Sequence, residues 1–143
     1  MSLGEIIRIA KAAVDLGIAR IKLTGGEPLM RKDVCDVVKG IANIPGLRDL
    51  SMTTNGLLLD ELAKPLCGAG LKRVNISLAT LNPETYYRLT GGKLENALAG
   101  VKAAIEVGFS PVKLNMVVLK GVNVNDIPDM IDFARDLGVI LQL

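Results

Sequence analysis

Apolar residues at Ile6, Ile7, Ala10, Ala13, Val14 and Leu16 recur at helical spacing and stop at Gly17, so the sequence opens on an amphipathic helix. A strand is expected over 19–23, turned by Thr24-Gly25-Gly26-Glu27-Pro28. A helix over 33–42 follows, its start marked by Asp33. Residues 47–53 read as the next strand and Thr53-Thr54-Asn55-Gly56 as its turn. Helix 60–69 ends at Gly70, and 73–78 is strand-like. The loop beyond it holds Asn82-Pro83-Glu84, a short helical piece and Gly91-Gly92. Helix 95–107, strand 112–118, the turn Gly121-Val122-Asn123, a helix over 125–137 and a last extended run over 139–143 complete the pattern.

Helix and strand alternate strictly, with no linker or low-complexity stretch, so residues 1–143 read as one α/β domain. Right-handed crossovers then give a parallel sheet, either doubly wound or curling as a barrel. Half of the residues are hydrophobic but only 3% are aromatic. The interior must therefore be Val, Ile, Leu and Ala, the mixture of parallel strands covered on both faces.

Formal charge is +2, with no basic block and few aromatic side chains to stack bases, which argues against a nucleic-acid surface. No apolar run has the length of a membrane span and no signal peptide opens the chain, so a cytoplasmic protein is expected. Histidine is absent, which removes His-based triads, His metal ligands and the commonest general base. Cys35 and Cys67 stand 32 positions apart without a CxxC-type partner, so both are expected as packed, reduced thiols and no metal ligands are assigned.

In either topology, ligands sit beyond the C-terminal ends of the strands. That rim collects Gly25-Gly26-Glu27, Thr53-Thr54-Asn55, Ser77 and the end of strand 112–118. The paired glycines let the backbone turn sharply and approach a small molecule; exposed amides there can bind an anion, while carbonyls and Glu27 can accept from an ammonium group. The alternative is a tight strand-to-helix turn and nothing more. Lys22-Leu23-Thr24 and Lys113-Leu114-Asn115 share a polar-apolar-polar alternation that aims both polar sets at one face. Pointing into a barrel, Lys22, Lys113 and Asn115 are buried and call for a partner. On an edge strand, the lysines would instead reach out to water.

Gly25-Gly26-Glu27-Pro28 resembles the GGEP motif of radical S-adenosylmethionine (SAM) enzymes. Thr53-Thr54-Asn55-Gly56, Arg73-Val74-Asn75-Ile76-Ser77-Leu78, Leu89-Thr90-Gly91 and the stretch from Lys113-Leu114-Asn115 to Gly121-Val122-Asn123 narrow the resemblance to the radical GTP 3',8-cyclase family of molybdenum cofactor biosynthesis. The resemblance implies a partial TIM-like (β/α) barrel of about five parallel strands with about five helices, lacking the first strand and the cluster loop. It implies SAM contacts at Gly25, Gly26, Glu27 and Ser77, GTP contacts at Lys22, Thr53 and Lys113, and added charge from Arg20. The family's CxxxCxxC motif, which holds a 4Fe-4S cluster, has no counterpart in this sequence, so no catalytic residue is assigned and the isolated chain is expected to be inactive. Ala79 stands where the family often has Asp, and Gln142 where many members carry Arg. GTP and SAM are the expected small-molecule partners, and a homo-oligomer is expected from the exposed sheet edge. Another radical SAM enzyme, such as a peptide-modifying maturase, or a non-catalytic phosphate-binding α/β module would share parts of the pattern.

Overall fold

The computed structural model describes residues 1–143, in which six α-helices alternate with five strands. The first helix, α1, spans Leu3–Asp15 and starts at a capping box. The Ser2 backbone N–H donates to Glu5 Oε2 (2.7 Å) and the Glu5 N–H donates to Ser2 Oγ (3.4 Å), satisfying donors that the helix start leaves free. The Ser2 N–H, and next the Ser2 hydroxyl, which also donates to Glu5 Oε2 (3.0 Å), hold the Glu5 carboxyl below the usual carboxylate range.

Strand β1 (Arg20–Leu23) runs through a 3-10 turn at Pro28–Met30 into α2 (Val34–Ala42). Then follow β2 (Asp49–Thr54), α3 (Leu59–Gly68), β3 (Arg73–Ser77), α4 (Pro83–Thr90) and α5 (Leu94–Glu106). After β4 (Val112–Asn115), a 3-10 turn at Val124–Asp126 leads to α6 (Ile127–Asp136) and β5 (Ile140–Gln142).

The short helical piece expected after Asn82 is the eight-residue α4, because Asn82 Oδ1 caps the Thr85 N–H (2.9 Å), Pro83 occupies the first turn and Gly91 closes the end at φ 71°. Two local expectations change. Strand 112–118 stops at Asn115, because Asn123 takes the Val117 carbonyl and the Leu119 N–H with its side chain and leaves no ladder to extend. Asp33 stands at the start of α2 but makes no side-chain cap; its carboxylate pairs with Arg31 instead, and this bond holds its pKa below the usual range.

The sheet order is β1-β2-β3-β4-β5, and every neighbouring pair is parallel. A doubly wound sheet needs a reversal of strand order, and there is none. The chain therefore winds one way, as a partial barrel does. Register assigns the two faces. Ile21, Leu23, Leu50, Met52, Val74, Ile76, Val112 and Leu114 fall on one face and join the helices in a single apolar core. The other face carries Arg20, Lys22, Asp49, Ser51, Thr53, Arg73, Asn75, Ser77, Lys113 and Asn115. Apolar cover on both faces, the expectation from composition, is thus replaced by one apolar face and one polar face.

At Gly100 the backbone of α5 lies close against the turn after β2. A Cβ added at Gly100 would stand 2.1 Å from the Gly56 carbonyl oxygen, and Gly56 itself sits at φ +80°. Gly100→Ala is expected to lower the urea unfolding midpoint, with a loss of about 1–3 kcal/mol. Gly68→Ala, where an added Cβ meets nothing within 4 Å, should hold or raise it by up to about 1 kcal/mol. Equal effects at the two positions would remove the close approach as a constraint on the fold.

The capping box predicts a pH response. Because the folded pKa of Glu5 is depressed, its stabilising effect is present above the unfolded value and is lost as pH falls through the folded one. An NMR titration of the Glu5 carboxyl should show a midpoint below that of a free glutamate. Ser2→Ala should move it only part of the way back, since the backbone donor remains.

Candidate functional site

The turn after β1 is built around one carboxylate. Glu27 Oε1 accepts from the Leu29 N–H (3.0 Å) and from Thr54 Oγ1 (2.6 Å), and Oε2 accepts from the Asn55 N–H (2.7 Å). Thr54 Oγ1 accepts in turn from the Gly56 N–H (3.1 Å), and Asn55 Oδ1 from the Leu57 N–H (3.0 Å). One side chain thereby holds the turn that follows β1 against the turn that follows β2. Three of roughly four acceptor positions on a carboxylate are filled by the chain itself. Gly25 and Gly26 are exposed, and a Cβ at either would meet nothing within 4 Å, so the space above the turn is open to a ligand.

A second brace ties the turns after β3 and β4. Asn123 is fully buried; its Nδ2 donates to the carbonyls of Ala79 (2.8 Å) and Val117 (2.9 Å), and its Oδ1 accepts from the Leu119 N–H (2.7 Å). Buried Thr80 donates to the Asp126 carboxylate and accepts from the Asn82 N–H (3.0 Å). Bonds of this kind, to buried or ionised groups, hold loops in one geometry and are costly to break.

Between these braces lies the polar face. Its rows follow from the register: Arg20 beside Asp49; Lys22 beside Ser51 and Arg73; Thr53 beside Asn75 and Lys113; Ser77 beside Asn115 and Gln142. Arg73 pairs with Asp49 at the N-terminal side, which leaves Arg20, Lys22 and Lys113 as cations without a carboxylate on the sheet. The face is electropositive. Three strand intervals of about 4.8 Å and an offset of one row, about 7 Å, put the Lys22 and Lys113 backbones about 16 Å apart along the sheet, a span suited to a ligand longer than one phosphate.

The structure therefore brings Lys22, Thr53, Ser77 and Lys113 onto one face, with Gly25, Gly26 and Glu27 at its rim. Lys22 is exposed rather than buried, because β1 is an edge strand; Lys113 is half-buried. Arg20 lies one row below Lys22, toward the N-terminal ends of the strands. Sequence reasoning missed Asn75, although its alternation with Arg73 and Ser77 carried the signal. It also missed the partners of Glu27 and Asn123, for which no local signal exists.

The glycine turn leaves accessible backbone and open space for a small molecule. An iron-sulfur cluster does not fit the residues of this chain. Cys35 and Cys67 are both free and packed against the core, on α2 and α3 respectively. Burial pushes the Cys35 thiol up, with Asp36 adding to it, and the Cys67 thiol donates to the Val107 carbonyl (3.4 Å). Nowhere do three or more His, Cys, Asp or Glu side chains gather as a metal site. No helix is long and apolar enough to cross a membrane.

The model of the radical SAM superfamily matches residues 1–134. The chain is 47% identical over 140 residues to a probable GTP 3',8-cyclase of Methanocaldococcus jannaschii, covering 97% of this chain and 46% of that protein. It is 54% identical over 140 residues to the probable GTP 3',8-cyclase of Thermococcus kodakarensis, covering 97% and 45%. The chain thus spans slightly under half the length of these relatives. Among solved structures, methylornithine synthase superposes with a TM-score of 0.70 at 20% identity, covering 100% of this chain and 44% of that one, a likeness of fold. With the family match running over most of its length and the fold shared, the chain belongs to the radical SAM superfamily.

Proposed function

We propose that this chain forms the SAM-facing and substrate-facing wall of a GTP 3',8-cyclase acting in molybdenum cofactor biosynthesis. Relatives named for that activity support the reading. The observation that carries it is the polar face, on which Lys22, Thr53 and Lys113 align beside the open turn at Gly25 and Gly26. Two lysines about 16 Å apart along the sheet suit the phosphates and the nucleoside of one extended nucleotide better than a single small anion.

Bound at the glycine turn, SAM supplies the adenosyl group used in radical chemistry. The residues of this chain bind and orient. Gly25 and Gly26 admit the methionine end, Ser77 offers a hydroxyl at the strand end, and Lys22 and Lys113 pair with phosphate oxygens. Glu27 shapes the turn through its bonds to Thr54 and Asn55, with one acceptor direction left for an ammonium group. Because the cluster ligands are not among these residues, no redox step is assigned to them.

Titration calorimetry of the chain with GTP tests the reading. Lys22→Ala and Lys113→Ala are each expected to weaken GTP binding about ten-fold or more, as loss of a charge-assisted bond does. The wild-type affinity should fall with salt, more through Lys22 than through half-buried Lys113. Absence of GTP binding, or binding indifferent to both lysines, would overturn the proposal.

Glu27 gives a separate test. Glu27→Gln keeps the size but exchanges an acceptor oxygen for a donor facing Thr54 or Asn55. It should lower stability by about 1–3 kcal/mol and accelerate amide exchange at Asn55. SAM affinity should fall with it, while GTP affinity changes less. An unchanged Asn55 exchange rate would show that the brace does not hold the turn.

A further inference from the structure

Asn75 lies in the middle of the central strand, on the polar face, between Thr53 and Lys113 in one cross-strand row. It is only 8% exposed, its carboxamide makes no hydrogen bond to any group of the protein, and the amide's polar atoms keep access to the open space above the face. An amide on the central strand that faces open space and bonds nothing in the protein is free to donate to and accept from a ligand. Its neighbours do not explain it. Ser51 and Arg73 lie one row toward the N-terminal side, where Arg73 is already paired to Asp49, and Ser77 and Asn115 lie one row toward the rim. The Asn115 Oδ1, one row nearer the rim, is buried without a partner, so two adjacent strands present unfilled amide groups to the same space.

Adjacent strands are about 4.8 Å apart, which places the Asn75 carboxamide one interval from the Lys113 side chain and one row, about 7 Å along the strand, below the rim row. When Lys113 holds a phosphate oxygen, the part of a nucleotide that reaches Asn75 is the sugar, since the base lies further from the phosphates than one strand interval. A carboxamide both donates and accepts, and so do sugar hydroxyls. A carboxylate at this place would repel the phosphate, and a hydroxyl would reach less far.

We propose that Asn75 is a substrate-binding residue that reads the ribose hydroxyls of the nucleotide held by Lys22 and Lys113. This rests on the nucleotide reading of the polar face and extends it to the sugar. It makes the site selective for ribonucleotides at a position assigned to no ligand by the sequence pattern.

Calorimetry on the chain with three probes tests it: GTP, 2',3'-dideoxy-GTP and inorganic triphosphate. Wild type should bind GTP roughly five- to ten-fold more tightly than dideoxy-GTP, the effect of one or two neutral hydrogen bonds. Asn75→Ala should erase that ratio by weakening GTP alone, leaving dideoxy-GTP and triphosphate unchanged. Asn75→Ser, which keeps a shorter polar group, should restore part of it. The wild-type ratio needs no variant, so a misfolded substitution does not shield the proposal. Equal wild-type affinity for GTP and dideoxy-GTP overturns the sugar role while leaving the nucleotide site intact, provided that Lys113→Ala still weakens both. A uniform weakening of all three probes by Asn75→Ala also overturns it, as a merely structural effect. If wild type binds none of the three, the nucleotide reading falls and this proposal with it.

Discussion

The period of two along a β-strand governs this molecule. Successive side chains of a strand must leave on opposite faces, and in a parallel sheet paired residues share a face. Once Leu50, Met52, Val74, Ile76, Val112 and Leu114 are driven under the helices, the intervening residues have no choice of side. Thr53, Asn75 and Lys113 therefore meet in one row although they come from three separate strands. Burial of the apolar set and alignment of the polar set are one event, and the hydrophobic effect that drives the first also assembles the second.

A polar face on a parallel sheet is costly unless its groups are answered. Part of the answer is internal, in the Arg73 and Asp49 pair toward the N-terminal side. Toward the other end the groups grow fewer in partners and richer in small polar and amide chemistry, through Thr53, Asn75, Ser77 and Asn115. The gradient runs toward the ends where the turns are braced. Glu27 locks the turns after β1 and β2, and Asn123, with Thr80 and Asp126, locks those after β3 and β4. Rigid turns around unanswered groups are what a preorganised binding surface needs, since little ordering cost then remains for the ligand to offset. The close contact of Gly100 with the Gly56 carbonyl belongs to the same design, because it seats α5 directly against the turn that Glu27 holds.

The apolar helical stripe of α1, the glycine stops and the alternation of Arg73 to Ser77 are local patterns, and they sufficed to read the order of elements and the end of the sheet at which the turns gather. The length of β4 was not readable in that way. Met116, Val117 and Val118 have strand chemistry, but the groups that would extend the ladder are taken by Asn123, and nothing near Val117 announces that capture. Asp33 shows the same limit at short range: its type marks a helix start, yet Arg31 two residues away wins its carboxylate.

By itself, then, the sequence determined what depends on neighbours along the chain: element type, turn chemistry, the parity of each strand and the absence of histidine chemistry. Tertiary structure alone decided what depends on register and on distant partners. The bonds from Glu27 to Thr54 and Asn55 cross 27 and 28 positions, and the bond from Asn123 to Ala79 crosses 44. Composition permits either a sheet covered on both faces or one with a polar wall, and only the uninterrupted strand order selected the second. The physical reason is that backbone geometry sets spacing within a strand, whereas the offset between strands is set by how the whole core packs.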